Sequence, residues 1–270
     1  MKKTSFTEKA DIILLAGQSN AEGYGIGDTN EPYQPDDRIL MLCPDVNVGF
    51  TTDENGNETF GVTSPFSYSL GVAKEQEKDG NKLGCLALSF AREYKKRALA
   101  ENRSIIIVQT ALGATGFEKG VWGVGKVLHN RMIEMTSYAL GLNKENRLVA
   151  ILWHQGEHEV VLSTAEDLVS EHAKNLSDTL CDIRKNFGNA PFITAGFCKD
   201  WEKENAQRCA LLNTAVKRTV ANDVCAAYVE SDTTLLSNNE KTGNKDQIHF
   251  SREALYSLGE KFFEQFEKIK

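Results

Sequence analysis

Four short polar clusters in this chain carry residue types that could do chemistry. They are Gly17-Gln18-Ser19-Asn20, Ala111-Leu112-Gly113-Ala114-Thr115-Gly116, His154-Gln155-Gly156-Glu157-His158 and Asp246-Gln247-Ile248-His249. A serine, a histidine and an aspartate are the parts of an acyl-transfer site. The serine hydroxyl is a poor nucleophile and needs a base within hydrogen-bond reach, and that base needs a carboxylate to orient it. Ser19 is the candidate nucleophile and His249 the candidate base. Asp246, three residues before His249, would hold its other ring nitrogen. The oxyanion that develops needs donors already in place. The backbone N–H groups of Ser19 and Gly113 are two candidates, since glycine lets the backbone approach closely, and the Gln155 side-chain amide is a third.

Each of these residues also has a purely structural reading. Ser19 could cap a helix, and Gly113 and Gly116 could serve a turn. Asp246 and His249 could share a loop hydrogen bond, and Ser251 has the position of an N-cap for the last helix. A rival chemistry is also written in the third cluster. His154-Gln-Gly-Glu157-His158 fits the H-x-x-E-H pattern of zinc peptidases, in which both histidines bind the metal and the glutamate is the base. That pattern requires a helix, so that the two histidines share a face. Here it follows a strand-like run and contains Gly156, a poor helix-interior residue.

The clusters must be positioned by regular elements, and the apolar pattern supplies them. Runs at 11–16, 38–42, 104–110, 147–153, 191–197 and 224–230 are nearly continuously hydrophobic, as strands buried on both faces are. Amphipathic stretches at 85–101, 163–187, 205–222 and 251–269 have helical spacing, and Ser163 or Thr164 ahead of Glu166 or Asp167 suggests a capping box. Alternating strand and helix predicts a doubly wound, mostly parallel sheet covered on both faces. In such a sheet ligands bind beyond the carboxyl ends of the strands. Three clusters directly follow strand-like runs and the fourth precedes the last helix, so all four should meet on one rim. No linker or repeat divides the chain, and one domain over 1–270 is expected. The long irregular region from 43 to 83 reads either as a functional loop or as a peripheral excursion with a hairpin.

Composition narrows the function classes. The 270 residues carry a net charge of -7 without a run of like charges, which argues against nucleic acid and anionic membranes as partners. No apolar stretch approaches the roughly 20 residues of a membrane span. The N-terminus is a poor signal peptide, so a cytoplasmic location is expected. The six cysteines are scattered without a C-x-x-C pair, as reduced thiols are. Trp122 and Trp201 follow the third and fifth strand-like runs and are candidates for a substrate rim, while Trp153, His129 and His172 read as packing or surface residues.

The segments GQSNAEG, GATGFEKG, WHQGEHE and DQIHFS resemble, in this order, the motif blocks of SGNH-type hydrolases. They are most similar to those of the sialate O-acetylesterase or acetylxylan-esterase-like branch, carbohydrate esterase family six, and LSFARE at 88–93 also resembles a segment of it. The resemblance runs from residue 14 to 251. It implies a three-layer α/β/α sandwich with a flavodoxin-like, five-stranded sheet and ester hydrolysis without metal or cofactor. It further implies an acetylated sugar, such as sialic acid or another glycan, as substrate. Carried over by residue, it implies Ser19 as nucleophile, His249 as base and Asp246 as its orienting acid, with Ser19, Gly113 and Gln155 around the oxyanion. Gln18 and Asn20 would hold the turn, and Glu157 would brace the loop or help orient a catalytic group. Ala114 and Gly116 depart from the branch's usual G-G-T-S, His158 stands where a smaller residue is common, and Cys85 stands where proline is frequent. A carbohydrate-binding protein that kept this fold but lost catalysis is the remaining alternative. The intact Ser19, Asp246 and His249 set argues against it. Oligomeric state has no signal in the sequence.

Overall fold

The computed structural model describes residues 8–45, 48–52, 58–62, 67–118 and 120–270, the two short segments among them by backbone alone. The chain runs through β1 (Lys9–Gly17), α1 (Ser19–Glu22), β2 (Ile39–Pro44), β3 (Val48–Thr52), β4 (Glu58–Val62), β5 (Tyr68–Val72), β6 (Gln76–Lys78), β7 (Asn81–Leu83) and α2 (Leu86–Arg97). It continues through β8 (Arg103–Gln109), α3 (Val127–Gly141), β9 (Arg147–His154), α4 (Glu157–Leu162), α5 (Ala165–Phe187), β10 (Phe192–Ala195), α6 (Lys199–Ala221), β11 (Ala226–Val229), α7 (Asn238–Thr242) and α8 (Arg252–Ile269).

β1 is buried from Ala10 to Gly17 because it lies in the interior of a seven-stranded sheet of order β11-β10-β9-β1-β8-β2-β5. All six apolar runs read from the sequence become parallel strands of this sheet. The architecture is the expected mostly parallel α/β sheet, but among the described residues it has seven strands, the six read from the apolar runs and one more, where the resemblance implied five. The added edge strand is β5, antiparallel to β2. It is half-exposed along its length, so it leaves no continuous apolar run to read. β8 also lies between β1 and β2. The chain therefore builds β2 and β8 on one side of β1, then crosses to β9, β10 and β11 on the other. That reversal makes the carboxyl end of β1 the topological switch point, where open α/β sheets open a crevice.

α2 and α8 pack on each other over one face, through edge-to-face contacts of Phe90 with Phe263 and Phe266 at 5.7 and 5.8 Å. On the other face α3 meets α5, and α5 meets α6. Thr164 is the N-cap of α5, its hydroxyl accepting from the Asp167 amide, and Ser251 caps α8 by accepting from Ala254. The buried charge of Asp11, near the amino end of β1, is met by Tyr94 at 2.8 Å and by Arg103 and Arg147 at 2.7 Å each. These bonds hold its carboxyl below the usual range although burial alone would raise it. Within 43–83, β3 pairs with β4 and β6 with β7 as antiparallel hairpins, while 46–47, 53–57 and 63–66 lie outside the described residues.

Candidate active site

β1 ends at Gly17, which pairs in parallel register with His154 at the end of β9. Its φ is +123°, and a Cβ there would lie 2.0 Å from the His154 carbonyl oxygen, so both the turn and the contact demand glycine. The Gln18 amide donates to that same carbonyl at 2.9 Å, while its side-chain oxygen accepts weakly from the Gly156 amide at 3.4 Å. Ser19 then opens the single turn of α1. It is the first helical residue, not the cap; the cap is Gln18, which makes no side-chain capping bond. The Ser19 N–H thus belongs to the first turn, where helices leave amides without an internal acceptor.

His249 reaches this turn from the loop before α8. Its Nε2 lies 2.9 Å from Ser19 Oγ, and its Nδ1 lies 3.0 and 2.9 Å from the two oxygens of Asp246. The three residues that the sequence singled out are thus brought into one hydrogen-bonded row. The loop is held from outside it. Asn238 donates to Asp246 Oδ2 at 2.9 Å and to the Tyr24 carbonyl at 3.0 Å, and the Asn238 and Asn239 amides take the carbonyls of His249 and Asp246. Burial alone would raise the Asp246 carboxyl, but the bonds from His249 and Asn238 hold it below its ordinary value. It is therefore an anion that accepts from Nδ1–H, leaving Nε2 as the acceptor for the serine proton. Tyr24 stacks on the His249 ring with centroids 5.4 Å apart, and the Lys78 ammonium lies 5.3 Å from the Tyr24 centroid.

Asn20, fully buried, donates to Glu157 Oε1 at 2.7 Å and to the Ile248 carbonyl at 3.1 Å, and accepts from the Phe250 amide at 3.0 Å. Glu157 is fully enclosed, and burial would raise its carboxyl. His154, 3.3 Å away, and Asn20 hold it below the ordinary value instead. Glu157 therefore braces Asn20, and through it the histidine loop.

The loop after β8 continues beside β1, with the Leu112 amide donating to the Gly17 carbonyl at 3.0 Å. This brings Gly113 against Ser19: a Cβ on Gly113 would lie 3.4 Å from Ser19 Cβ. Two of the expected oxyanion donors meet carboxylates here, which take the single Gly113 N–H and one of the two Gln155 N–H groups. The Gly113 amide donates to Glu22 Oε2 at 2.6 Å, and Gln155 Nε2 donates to Glu159 Oε1 at 3.1 Å. Sequence reasoning missed both carboxylates. Glu22 lies three residues after Ser19 on α1, so the spacing that keeps it beside the serine was present in the sequence; Asn238, Tyr24 and Glu159 left no such local signal. Burial raises the Glu22 carboxyl despite the Gly113 bond and the charges of Arg131 and Lys78.

The carbohydrate esterase, sialic acid-specific acetylesterase family matches residues 9–268 of this sequence. The chain belongs to that family. It is a carboxylic ester hydrolase of the carbohydrate acetylesterase kind. None of the curated proteins matches it. Among solved structures it is similar in fold to NanS, at 16% identity over 97% of this chain and 98% of that one, with a TM-score of 0.72. A protein from Arabidopsis thaliana follows at 18% identity, 96% and 98% coverage and a TM-score of 0.66. A carbohydrate acetylesterase from Xanthomonas citri has 15% identity and a TM-score of 0.61, covering 96% of this chain and 56% of its own.

The zinc-peptidase pattern of the esterase does not form a ligand set. His154 ends β9 and faces Glu157 and the Gly196 carbonyl, whereas His158, on α4, turns to Glu118 at 3.3 Å. The two histidines address different carboxylates, because Gly156, at φ +135°, breaks the backbone between them. The tryptophans are corrected as well. Trp122 is 2% exposed, donating its indole N–H to Thr115 Oγ1 and packing edge-on to Trp153, and Trp201 is 8% exposed against Phe197. Both are buried and offer no open face to a sugar. His129 and His172 are buried too, His172 lying beside Glu159 and against Phe117.

Proposed function

We propose that the esterase removes O-acetyl groups from an acetylated carbohydrate, sialic acid or another acetylated glycan, through Ser19, His249 and Asp246 and an acetyl-enzyme. The observation that carries this reading is the continuous row from Asp246 through His249 to Ser19 Oγ, each contact 2.9–3.0 Å long. His249 Nε2 takes the proton as Ser19 Oγ attacks the acetyl carbonyl carbon. The negative charge on the carbonyl oxygen falls among the amides of Ser19 and Gly113 and the side-chain amide of Gln155. The imidazolium, stabilised by Asp246, then gives its proton to the sugar oxygen as the C–O bond breaks and the deacetylated sugar leaves. Water, deprotonated by His249, attacks the acetyl-serine and releases acetate. Nothing in this sequence of steps draws on Glu157 directly; it supports the loop that carries His249.

An acetate-release screen across acetylated sugars, with Ser19→Ala beside the wild type, tests the reading. Ser19→Ala should lower kcat by roughly 10⁴-fold or more while keeping an unchanged melting curve, as removal of a triad nucleophile does. Turnover by Ser19→Ala at the wild-type rate would remove Ser19 from the mechanism. Saccharide binding without acetate release by the wild type would instead favour the non-catalytic carbohydrate-binding alternative.

A further inference from the structure

The Gly113 amide cannot serve an oxyanion and Glu22 at once. Glu22 Oε2 takes that N–H at 2.6 Å, and a Cβ on Gly113 would sit 3.2 Å from this oxygen, 3.4 Å from Ser19 Cβ and 3.5 Å from Tyr24 Oη. The carboxylate therefore stands where an ester carbonyl oxygen must come. When the ester enters, the carboxylate has to yield the donor, but its backbone does not travel. Glu22 is the last residue of α1, followed by Gly23 in the left-handed C-cap, whose amide returns to the Ser19 carbonyl. Displaced by a side-chain rotation, the carboxylate remains within one side-chain length of the reacting ester. It is half-buried and must find new donors there. A sugar acetate brings one with it, the free hydroxyl next to the acetylated oxygen. A simple alkyl acetate brings none.

We infer that Glu22 is a substrate-specificity residue, which holds the Gly113 amide until substrate displaces it and then accepts a hydrogen bond from the hydroxyl neighbouring the ester. This deepens the esterase reading and rests on it. Esters with a neighbouring hydroxyl satisfy the carboxylate as they claim the amide. Esters without one leave it to compete for the amide, and the oxyanion loses a donor.

The test is a matched pair, 2-hydroxyethyl acetate and 2-methoxyethyl acetate, assayed for kcat/KM with wild type, Glu22→Ala and Glu22→Gln. The wild type should prefer the hydroxy ester by roughly 10- to 100-fold, the worth of a hydrogen bond to a charged group. Glu22→Ala should bring the ratio close to one, by losing hydroxy-ester turnover and by freeing the amide for the methoxy ester. Glu22→Gln, which keeps an accepting oxygen, should retain an intermediate ratio. If Glu22→Ala fails to fold, Glu22→Gln still has to lower the ratio several-fold. An unchanged ratio in either folded variant overturns the inference. So does an equal loss on both esters, the mark of a side chain that merely props the Gly113 loop. Ser19→Ala on the same pair separates the two readings. If it turns over both esters at the wild-type rate, the serine mechanism fails whatever the Glu22 ratio shows. If it is inactive, an unchanged Glu22 ratio overturns this inference alone.

Discussion

Asn20 donates to Glu157 and to the Ile248 carbonyl and accepts from the Phe250 amide, so one side chain ties α1 to α4 and to the histidine loop. Its partners stand 137 to 230 residues away in the chain. Removing it leaves Glu157 Oε1, inside the protein, without its 2.7 Å donor, and a carboxylate stripped of a partner is costly. Asn20→Ala should lose about 2–4 kcal/mol in urea unfolding, with kcat falling more than KM rises. Unchanged stability together with an unchanged kcat would show that the loop is held by other bonds, such as those of Asn238. The motif around Ser19 marked Asn20 as a turn-holding residue; the contacts it makes could not be read there, because they come from segments with no local relation to it.

The connection from β1 to α1 determines where the nucleophile stands. At Gly17 the strand lies level with His154, and the left-handed φ together with the 2.0 Å approach to a carbonyl oxygen excludes any Cβ. Gly17→Ala should therefore destabilise the fold by about 3 kcal/mol or more, combining backbone strain with a clash against main chain that cannot rotate away. A thermal melt measures it, and a shift of only a degree or two would contradict the assigned geometry. Glycine spacing after an apolar run made this turn legible in the sequence. The edge strand β5 was not, since a half-exposed antiparallel strand has neither the continuous apolar run of a buried strand nor a helical period. Trp122 and Trp201 show the same limit from the other side. Placement after a strand predicts the rim, but whether an indole faces solvent or core depends on how its loop folds back.

Across the whole molecule, enclosed and half-buried carboxyls respond to pH in opposite directions. Asp246 and Glu157 are held below their ordinary values of 3.8 and 4.5. Their contribution to stability is present above those values and is lost as pH falls through the depressed ones. Glu159 is the reverse. Burial, aided by the nearby Glu118 charge, raises its carboxyl above 4.5 although His172 and the Phe117 amide pull it down. The folded state therefore holds that proton more tightly, and its contribution is present below pH 4.5 and fades as pH rises through the raised value. Glu159→Gln, which can still accept from Phe117, should gain stability relative to wild type as pH rises from below 4.5 through the raised value. Urea midpoints at both ends measure the gap, and a pH-independent difference would refute it. The sequence alone determined the α/β class, since apolar runs alternating with amphipathic helices allow few other burials. It also supplied Ser19, His249 and Asp246 as candidates for one row, Ser19 from the cluster after a strand end and the other two from the cluster before the last helix. The tertiary structure alone decided which donors the site has free. Whether the Gly113 amide and the Gln155 side chain face an oxyanion or a carboxylate depends on Glu22 and Glu159, and those pairings arise only when separate loops pack into one desolvated rim.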